Sequence, residues 1–282
     1  MKDSPMPKTW KGFPMTDSGT VRVTLVGATG RMGREVARLL GAKPDIKLVS
    51  AIASPSSPAL GKKLREAGVC DLDLEVQSPL ALPEAARNSD AIISFTKPQA
   101  ELANLTAISE QNIPLVIGTT GFTEEQMRTL KESVKNSPVV YSSNFSIGAN
   151  LLFHLTHELA LLPEEFEFSI IEEHHSGKSD SPSGTAKRLS EILMEERGYT
   201  KIVSGRSGES RRRPDELEVF SVRAGGIAGR HSVIAAGQHE MITIGHDAFT
   251  RAAFAGGVLS ATRWVVGRGP GFDTMKDVLG LK

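Results

Sequence analysis

Cysteine is almost missing from this chain of 282 residues: there is one, Cys70. A single thiol closes no internal disulfide, which excludes a cross-linked secreted scaffold and suits a reducing, cytoplasmic compartment. No second cysteine or histidine stands at metal-ligand spacing around it, so Cys70 reads as a buried or loop thiol. Aromatic residues are scarce, at 5%, and neither charge sign is in excess, with 33 basic and 33 acidic residues. Without a basic stripe interleaved with aromatics there is no footprint for nucleic acid, and a small ligand must be drawn by local charge. Long apolar runs are absent as well. The most apolar stretch, Ile147–Leu162, is shorter than a membrane span of roughly 20 residues and is broken by Asn150, His154, His157 and Glu158. It predicts a packed helix and no membrane partner. Residues 1–19 are rich in Pro, Ser, Lys and Met and lack the apolar core of a signal peptide. They are expected to form a disordered N-terminal extension.

What is present is the composition of a globular protein, 39% hydrophobic and 23% charged, with length enough for two lobes. Val21–Val26 reads as a strand, followed by a glycine turn and a helical segment from Arg34 to Leu40. Further strands are predicted over Lys47–Ile52, Asp90–Phe95, Pro114–Ile117 and Val139–Tyr141. Between them Pro98 opens one helix, and Thr123 to Gln126 forms a capping box for another. Strands alternating with helices predict a parallel sheet whose ligands bind at the carboxyl ends of the strands. The pattern changes after about residue 145. A long helix, a strand at Glu167–Glu173, a helix capped by Ser183 and three strand-like runs between Leu217 and His246 predict an open, mostly antiparallel sheet. Arg211–Arg213 reads as a solvated loop, and Arg251–Val266 as a helix returning to the first lobe. The fold class is therefore α/β: a Rossmann-like dinucleotide-binding domain over 20–145 and 250–282, with an inserted α+β substrate and oligomerisation domain over 146–249 that contains an open mixed sheet.

The turn Gly27-Ala28-Thr29-Gly30-Arg31-Met32-Gly33 follows a strand and opens a helix. Its glycines permit a tight bend and close backbone approach to a pyrophosphate, which the helix N-terminus then attracts. A carboxylate about twenty residues further on would bond the ribose hydroxyls of NADH. Ala53 and Ser54 stand there instead. Ser54, Ser56 and Ser57, with Arg31 or Lys62 and Lys63, suit a 2′-phosphate and tilt the expectation mildly toward NADPH.

The densest polar chemistry lies in EEHHSGKSDSPSGTA, Glu172 to Ala186. Histidine carries a proton at neutral pH, and lysine holds a carboxylate or donates a proton to a developing nitrogen anion. Ser183, Gly184 and Thr185 open a helix whose N–H groups suit a carboxylate. Together they describe a pocket for a small dicarboxylate. Metal binding is disfavoured because His174 and His175 point apart on a strand and no third ligand is evident. A serine hydrolase is excluded by the lack of a G-x-S-x-G elbow. His154 and His157 read as structural; His231, His239 and His246 are left open between packing and orienting a neighbour.

This segment resembles the signature of the 4-hydroxy-tetrahydrodipicolinate reductase family of lysine biosynthesis. VGATGRMG ending at Gly33, FTKP at 95–98, IGTTGF at 117–122, SSNFSIGAN at 142–150 and RAGGIAGRH at 223–231 agree in order. The resemblance implies reduction of 4-hydroxy-tetrahydrodipicolinate to tetrahydrodipicolinate with NADPH or NADH. It implies His174 and Lys178 as the proton-handling pair, with His175, Lys178, Ser183, Gly184 and Thr185 on the substrate. It implies cofactor contacts from Gly27 to Met32 and from Gly118, Thr119, Thr120, Ser142, Ser143, Asn144 and Phe145; Gly33, which closes the turn, Ser54 and Phe95 are expected beside them. A homotetramer built through the substrate-domain sheets is also implied. Two departures stand out: Ala53 replaces the acidic residue many members place after the second strand, and Gly229-Arg230-His231 replaces the commoner Gly-Glu-His.

Overall fold

Val21–Val26 forms β1, whose last four residues are enclosed, as suits a β-branched run in a parallel sheet covered on both faces. The computed structural model describes residues 19–281, so the extension expected over 1–19 lies outside them apart from Gly19. After β1 come α1 (Arg31–Gly41), β2 (Ile46–Ile52), β3 (Val76–Gln77), α2 (Leu82–Arg87), β4 (Ala91–Ser94), α3 (Pro98–Ile108), β5 (Leu115–Ile117), α4 (Glu124–Ser133) and β6 (Pro138–Tyr141). The next stretch holds α5 (Ile147–Leu159), β7 (Glu167–His174), α6 (Gly184–Arg197), β8 (Lys201–Val203), β9 (Glu216–Arg223), β10 (Gly229–Ala236) and β11 (Met241–Ala248). The chain ends with α7 (Ala252–Val265), β12 (Gly271–Asp273) and α8 (Met275–Leu279). It divides into two units, one running to Ser143 and resuming over Ala255–Val278, the other spanning Asn144–Phe254.

The first unit's sheet has the order β12-β6-β5-β4-β1-β2-β3, and every neighbouring pair is parallel. The order reverses at β1 and β4, and in such sheets the ligand crevice opens at the carboxyl ends beside that switch point. Ile52, Ile92, Leu115, Ile117 and Val139 form the sheet's side of a core closed by Leu82, Leu105, Ile108 and Leu130. Each such side chain contributes about 1.5–3 kcal/mol when fully buried. The capping box expected at α4 is present, with Thr123 and Gln126 exchanging hydrogen bonds.

The second unit's sheet has the order β11-β10-β7-β9-β8. Two of its pairings are antiparallel, β10 with β11 and with β7, and two are parallel, β9 with β7 and with β8. The expected open mixed sheet is present, but with as many parallel as antiparallel pairings, where the strand runs suggest mostly antiparallel ones. The reason is α6, which acts as a crossover and returns the chain in the direction of β7. One face packs Phe168, Ile170, Leu217, Val219 and Val233 against Leu189 and Leu193 of α6 and Leu152 of α5. Arg212 also departs from the solvated-loop reading. Its guanidinium bonds the carbonyls of Phe168 and Glu216 and lies over Tyr199, tying the loop before β9 to β7. Strands β3, β8 and β12 have two or three residues, too few to show a period in sequence.

Candidate functional site

In the first unit a cavity of about 610 Å³ opens where β1, β2, β4 and β5 end. That volume suits an extended cofactor. Gly27 has φ +80°, and a Cβ there would lie 2.1 Å from the Phe95 carbonyl oxygen; a Cβ on Gly33 would lie 2.1 Å from that of Gly27. These positions let the turn fold back on itself and onto the neighbouring strand end. Gly30 caps α1 without any side-chain hydrogen bond. Arg34 holds the Thr29 carbonyl and, through Gly68, the loop beneath the turn. The glycine cradle and the uncapped helix end fit a dinucleotide pyrophosphate.

Behind this cavity lies a buried carboxyl group. Glu101 is 1% exposed, and Ser94, Thr96 and Thr119 donate hydroxyl hydrogen bonds to its Oε2 at 2.7, 2.6 and 2.5 Å. The Thr96 N–H donates in turn to Thr119 Oγ1 at 2.8 Å. Glu101 stands in the first turn of α3, where the helix dipole favours an acidic side chain. The network therefore joins the loop after β4 to the loop after β5, both of which line the cavity.

In the second unit the chemistry grows from strand periodicity. Phe168, Ile170, Glu172 and His174 alternate onto the enclosed face of β7. Across the sheet Glu172 pairs with Ser221 of β9 and His231 of β10, and His174 pairs with Arg223. Glu172 is fully buried and bound on several sides. Arg223 donates to both oxygens, at 2.6 and 2.9 Å, His174 Nδ1 donates to Oε2, and the Ser183 N–H reaches Oε1 at 3.2 Å. Ser183 caps α6: its Oγ accepts from the Ala186 N–H and lies 3.0 Å from His231 Nε2. The Ser183 N–H being engaged, the Gly184 and Thr185 N–H groups are left for an anion at the helix end. Thr185 Oγ1 accepts from Asn144 at 3.1 Å. Lys178 donates to Asp180 at 2.6 Å.

These contacts set the charges. Burial works to raise the Glu172 carboxyl, but hydrogen bonds from Arg223, Ser221 and His174 outweigh it and hold the group at about 2. Burial lowers His174, aided by Lys178 and Arg223 and opposed by Glu172. His231, buried and beside His174, falls to about 3 and is neutral near pH 7. The hydrogen bond from Lys178 lowers Asp180. A histidine whose charged form is opposed by burial and favoured by one carboxylate is a candidate for proton transfer.

Of the residues singled out in sequence, Gly27, Thr29, Gly30, Arg31, Met32, Ser54, Phe95, Gly118 and Thr120 line the first unit's cavity. Ala28, Gly33 and Thr119 are buried and do not line it. Ser142 and Ser143 follow β6 and, with Asn144 and Phe145 of the other unit, are not on its wall. His174, Ser183, Gly184 and Thr185 come together in the second unit; His175 and Lys178 occupy the turn after β7. Sequence reading missed Glu172, Arg223 and the part played by His231. The two-residue period of β7, continued past Phe168 and Ile170, was the signal for Glu172. It also missed that Glu172, His174 and His231 bring ligand atoms within 4.8 Å of one another, so a third candidate metal ligand does exist. Arg223 occupies both oxygens of Glu172, however, and a metal cation there would face a guanidinium.

A parallel sheet in this strand order, with a glycine cradle at its switch point, is the mark of the Rossmann-type nicotinamide-dependent oxidoreductases. Comparison with known proteins narrows the class. A family model described as dihydrodipicolinate reductase, N-terminus, matches residues 21–145, and its C-terminal counterpart matches 148–279. The chain is 43% identical over 265 residues to the 4-hydroxy-tetrahydrodipicolinate reductase of Methanopyrus kandleri, covering 92% of this chain and 96% of that protein. It is 40% identical over 262 residues to the one from Methanoculleus marisnigri, covering 93% and 100%. A dipicolinate-bound dihydrodipicolinate reductase from Paenisporosarcina sp. TG-14 shares the fold with a TM-score of 0.71 at 25% identity, covering 90% of this chain and 98% of that one. The chain belongs to the dihydrodipicolinate reductase family.

Proposed function

We propose that this chain reduces 4-hydroxy-tetrahydrodipicolinate to tetrahydrodipicolinate in the diaminopimelate route to lysine. Overall the ring gains one hydride and one proton and loses one water. A nicotinamide dinucleotide held on the Gly27–Gly33 turn supplies the hydride when bound. The observation that carries the reading is the cluster in which His174 and the Ser183-capped end of α6 share one buried carboxylate, that of Glu172. In this reading Ser183, Gly184 and Thr185 hold one substrate carboxylate, the last two through N–H groups, and His175 and Lys178 hold the other. Fixing the ring in this way lowers the entropic part of the barrier. As electrons move toward the ring nitrogen, Lys178 or His174 supplies the proton.

Ser54 and Arg31 line the cavity, while Ala53, 2% exposed, offers no carboxylate to ribose hydroxyls. This supports a mild preference for NADPH over NADH. The roles of Ser142, Ser143, Asn144 and Phe145 toward the dinucleotide are proposed on the family likeness. The same likeness supports a cytoplasmic homotetramer. The face of the second sheet that carries Ile171, Phe220, Val222, Ile234 and Met241 is the surface to expect at its interfaces, Val222 and Met241 being 42% and 64% exposed. Among the described residues no helix is long and apolar enough to cross a membrane.

The test is a steady-state assay of oxidation of NADPH and of NADH with the lysine-pathway precursor. Turnover with both, and a higher kcat/KM with NADPH, is expected. Lys178→Ala should lose about 100-fold or more in kcat while still binding NADPH. Near-normal turnover in that variant would remove Lys178 from the mechanism.

A further inference from the structure

We infer that Glu172 is the positioning residue of the substrate site, one carboxylate that fixes both the proton-bearing edge of His174 and the anion-binding end of α6. The inference rests on the functional reading above and goes beyond it by assigning the atom at which His174 works and the group that selects it.

The geometry allows few alternatives. Glu172 is 0% exposed and cannot turn to solvent. Arg223 grips both of its oxygens, which keeps it ionised and leaves it no proton to give. The contact with His174 therefore requires Nδ1 to be the donor. That assigns the neutral ring its lone pair at Nε2, and the charged ring its exchangeable proton at the same atom. Nε2 lies beside Gly229, where a Cβ would come within 3.1 Å, so the absence of a side chain there keeps the working nitrogen uncrowded. The other Glu172 oxygen accepts the Ser183 N–H at 3.2 Å and sets the position of the α6 cap. Proton donor and carboxylate site thus share one reference point.

The groups facing His174 are Glu172 on its own strand, Arg223 on β9, His231 on β10 with ring centroids 5.1 Å apart, and Lys178 in the following turn. Among them Glu172 favours the imidazolium, whereas Lys178 and Arg223 oppose it. Removing the Glu172 charge therefore moves the His174 titration to lower pH.

The test has two arms. In Glu172→Gln the kcat should fall about 10- to 100-fold, the range for loss of a group that orients a working histidine. The KM for the dicarboxylate should rise, the KM for NADPH should stay within about twofold, and the His174 limb of the pH profile should shift toward acid. An unshifted limb with wild-type kcat overturns the inference. Because that variant leaves Arg223 unpaired and can destabilise the unit, the second arm uses the wild-type protein. Nitrogen-15 NMR of labelled histidine, with His174 assigned by its loss in His174→Gln, should find the Nδ1–H tautomer. An Nε2–H tautomer overturns the inference whatever the variant does. If the wild type fails to turn over the precursor, the functional reading fails, while the tautomer measurement still decides the placement of the proton.

Discussion

Glu101 in the first unit and Glu172 in the second are both closed off from solvent, at 1% and 0% exposure. Their surroundings differ in kind. Glu101 is met by the hydroxyls of Ser94, Thr96 and Thr119 at the start of a helix. Glu172 is met by a guanidinium, an imidazole and a backbone N–H. Hydroxyl donors fix the shape of two loops without adding a charge beside the cavity they line. The ion-paired cluster does add charge, and its members act together with burial, the larger cause, on the titration of His174 and His231. One unit uses a buried carboxyl to hold the shape of two loops, and the other uses one to accept the Nδ1 proton of His174 in a hydrogen bond.

The comparison breaks most severely at Arg223. Arg223→Met leaves the second carboxylate buried and without a cation. Loss of one partner of such a pair costs about 3–5 kcal/mol. Urea denaturation at pH 7.5 should show it, and Arg223→Met combined with Glu172→Leu should recover much of the loss, because apolar replacements for a buried pair are often neutral. A single-variant loss below about 1 kcal/mol would mean that His174 and the Ser183 N–H stabilise the carboxylate without the guanidinium.

A smaller effect separates the clusters by pH. The folded pKa of His231 is depressed to about 3, below an unfolded value of about 6.5. Its contribution to stability is therefore present above about pH 6.5 and is lost as pH falls toward 3. Between pH 7.5 and 5 the loss from this residue amounts to about 2 kcal/mol. His231→Gln retains a hydrogen-bonding side chain beside Ser183 and removes the titration. The stability difference between pH 7.5 and 5 should shrink by about that amount in the variant. An unchanged difference would show that His231 is solvated in the native state.

How far the sequence revealed these two regions follows from the physics of each. Five of the seven strands of the first unit's sheet were legible, because buried parallel strands appear as short apolar runs and the turn needs glycine at Gly27 and Gly33, whereas β3 and β12 were too short to show. The candidate residues His174, Lys178 and Ser183–Thr185 stood out by chemical density within one segment. Glu101 did not, because its donors come from positions 94, 96 and 119, and only the sheet brings those loops together. Arg223 and His231 were hidden for the same reason: the pairing of β7 with β9 and β10 sets them beside His174 and Glu172. The share of parallel pairing in the second sheet was hidden too, since a strand carries no mark of its neighbour's direction.

The mildest test falls on the hydroxyl network. Thr119→Val keeps the volume of the side chain, removes one donor to Glu101 and removes the acceptor of the Thr96 N–H. Losing hydrogen bonds of this kind costs about 1–2 kcal/mol. Thr119 is 1% exposed and does not line the cavity, so the cost should reach the cofactor through the loops after β4 and β5. The expected readout is a KM for NADPH raised about 5- to 10-fold with kcat within about twofold, the signature of a weakened binding surface. The same substitution should leave the pH profile of kcat unmoved, because the groups that set His174, namely Glu172, Lys178 and Arg223, belong to the second unit. A shift of that profile in Thr119→Val would mean that the hydroxyl cage and the charged cluster are coupled, and that the contrast between the two buried carboxyl groups does not divide their tasks.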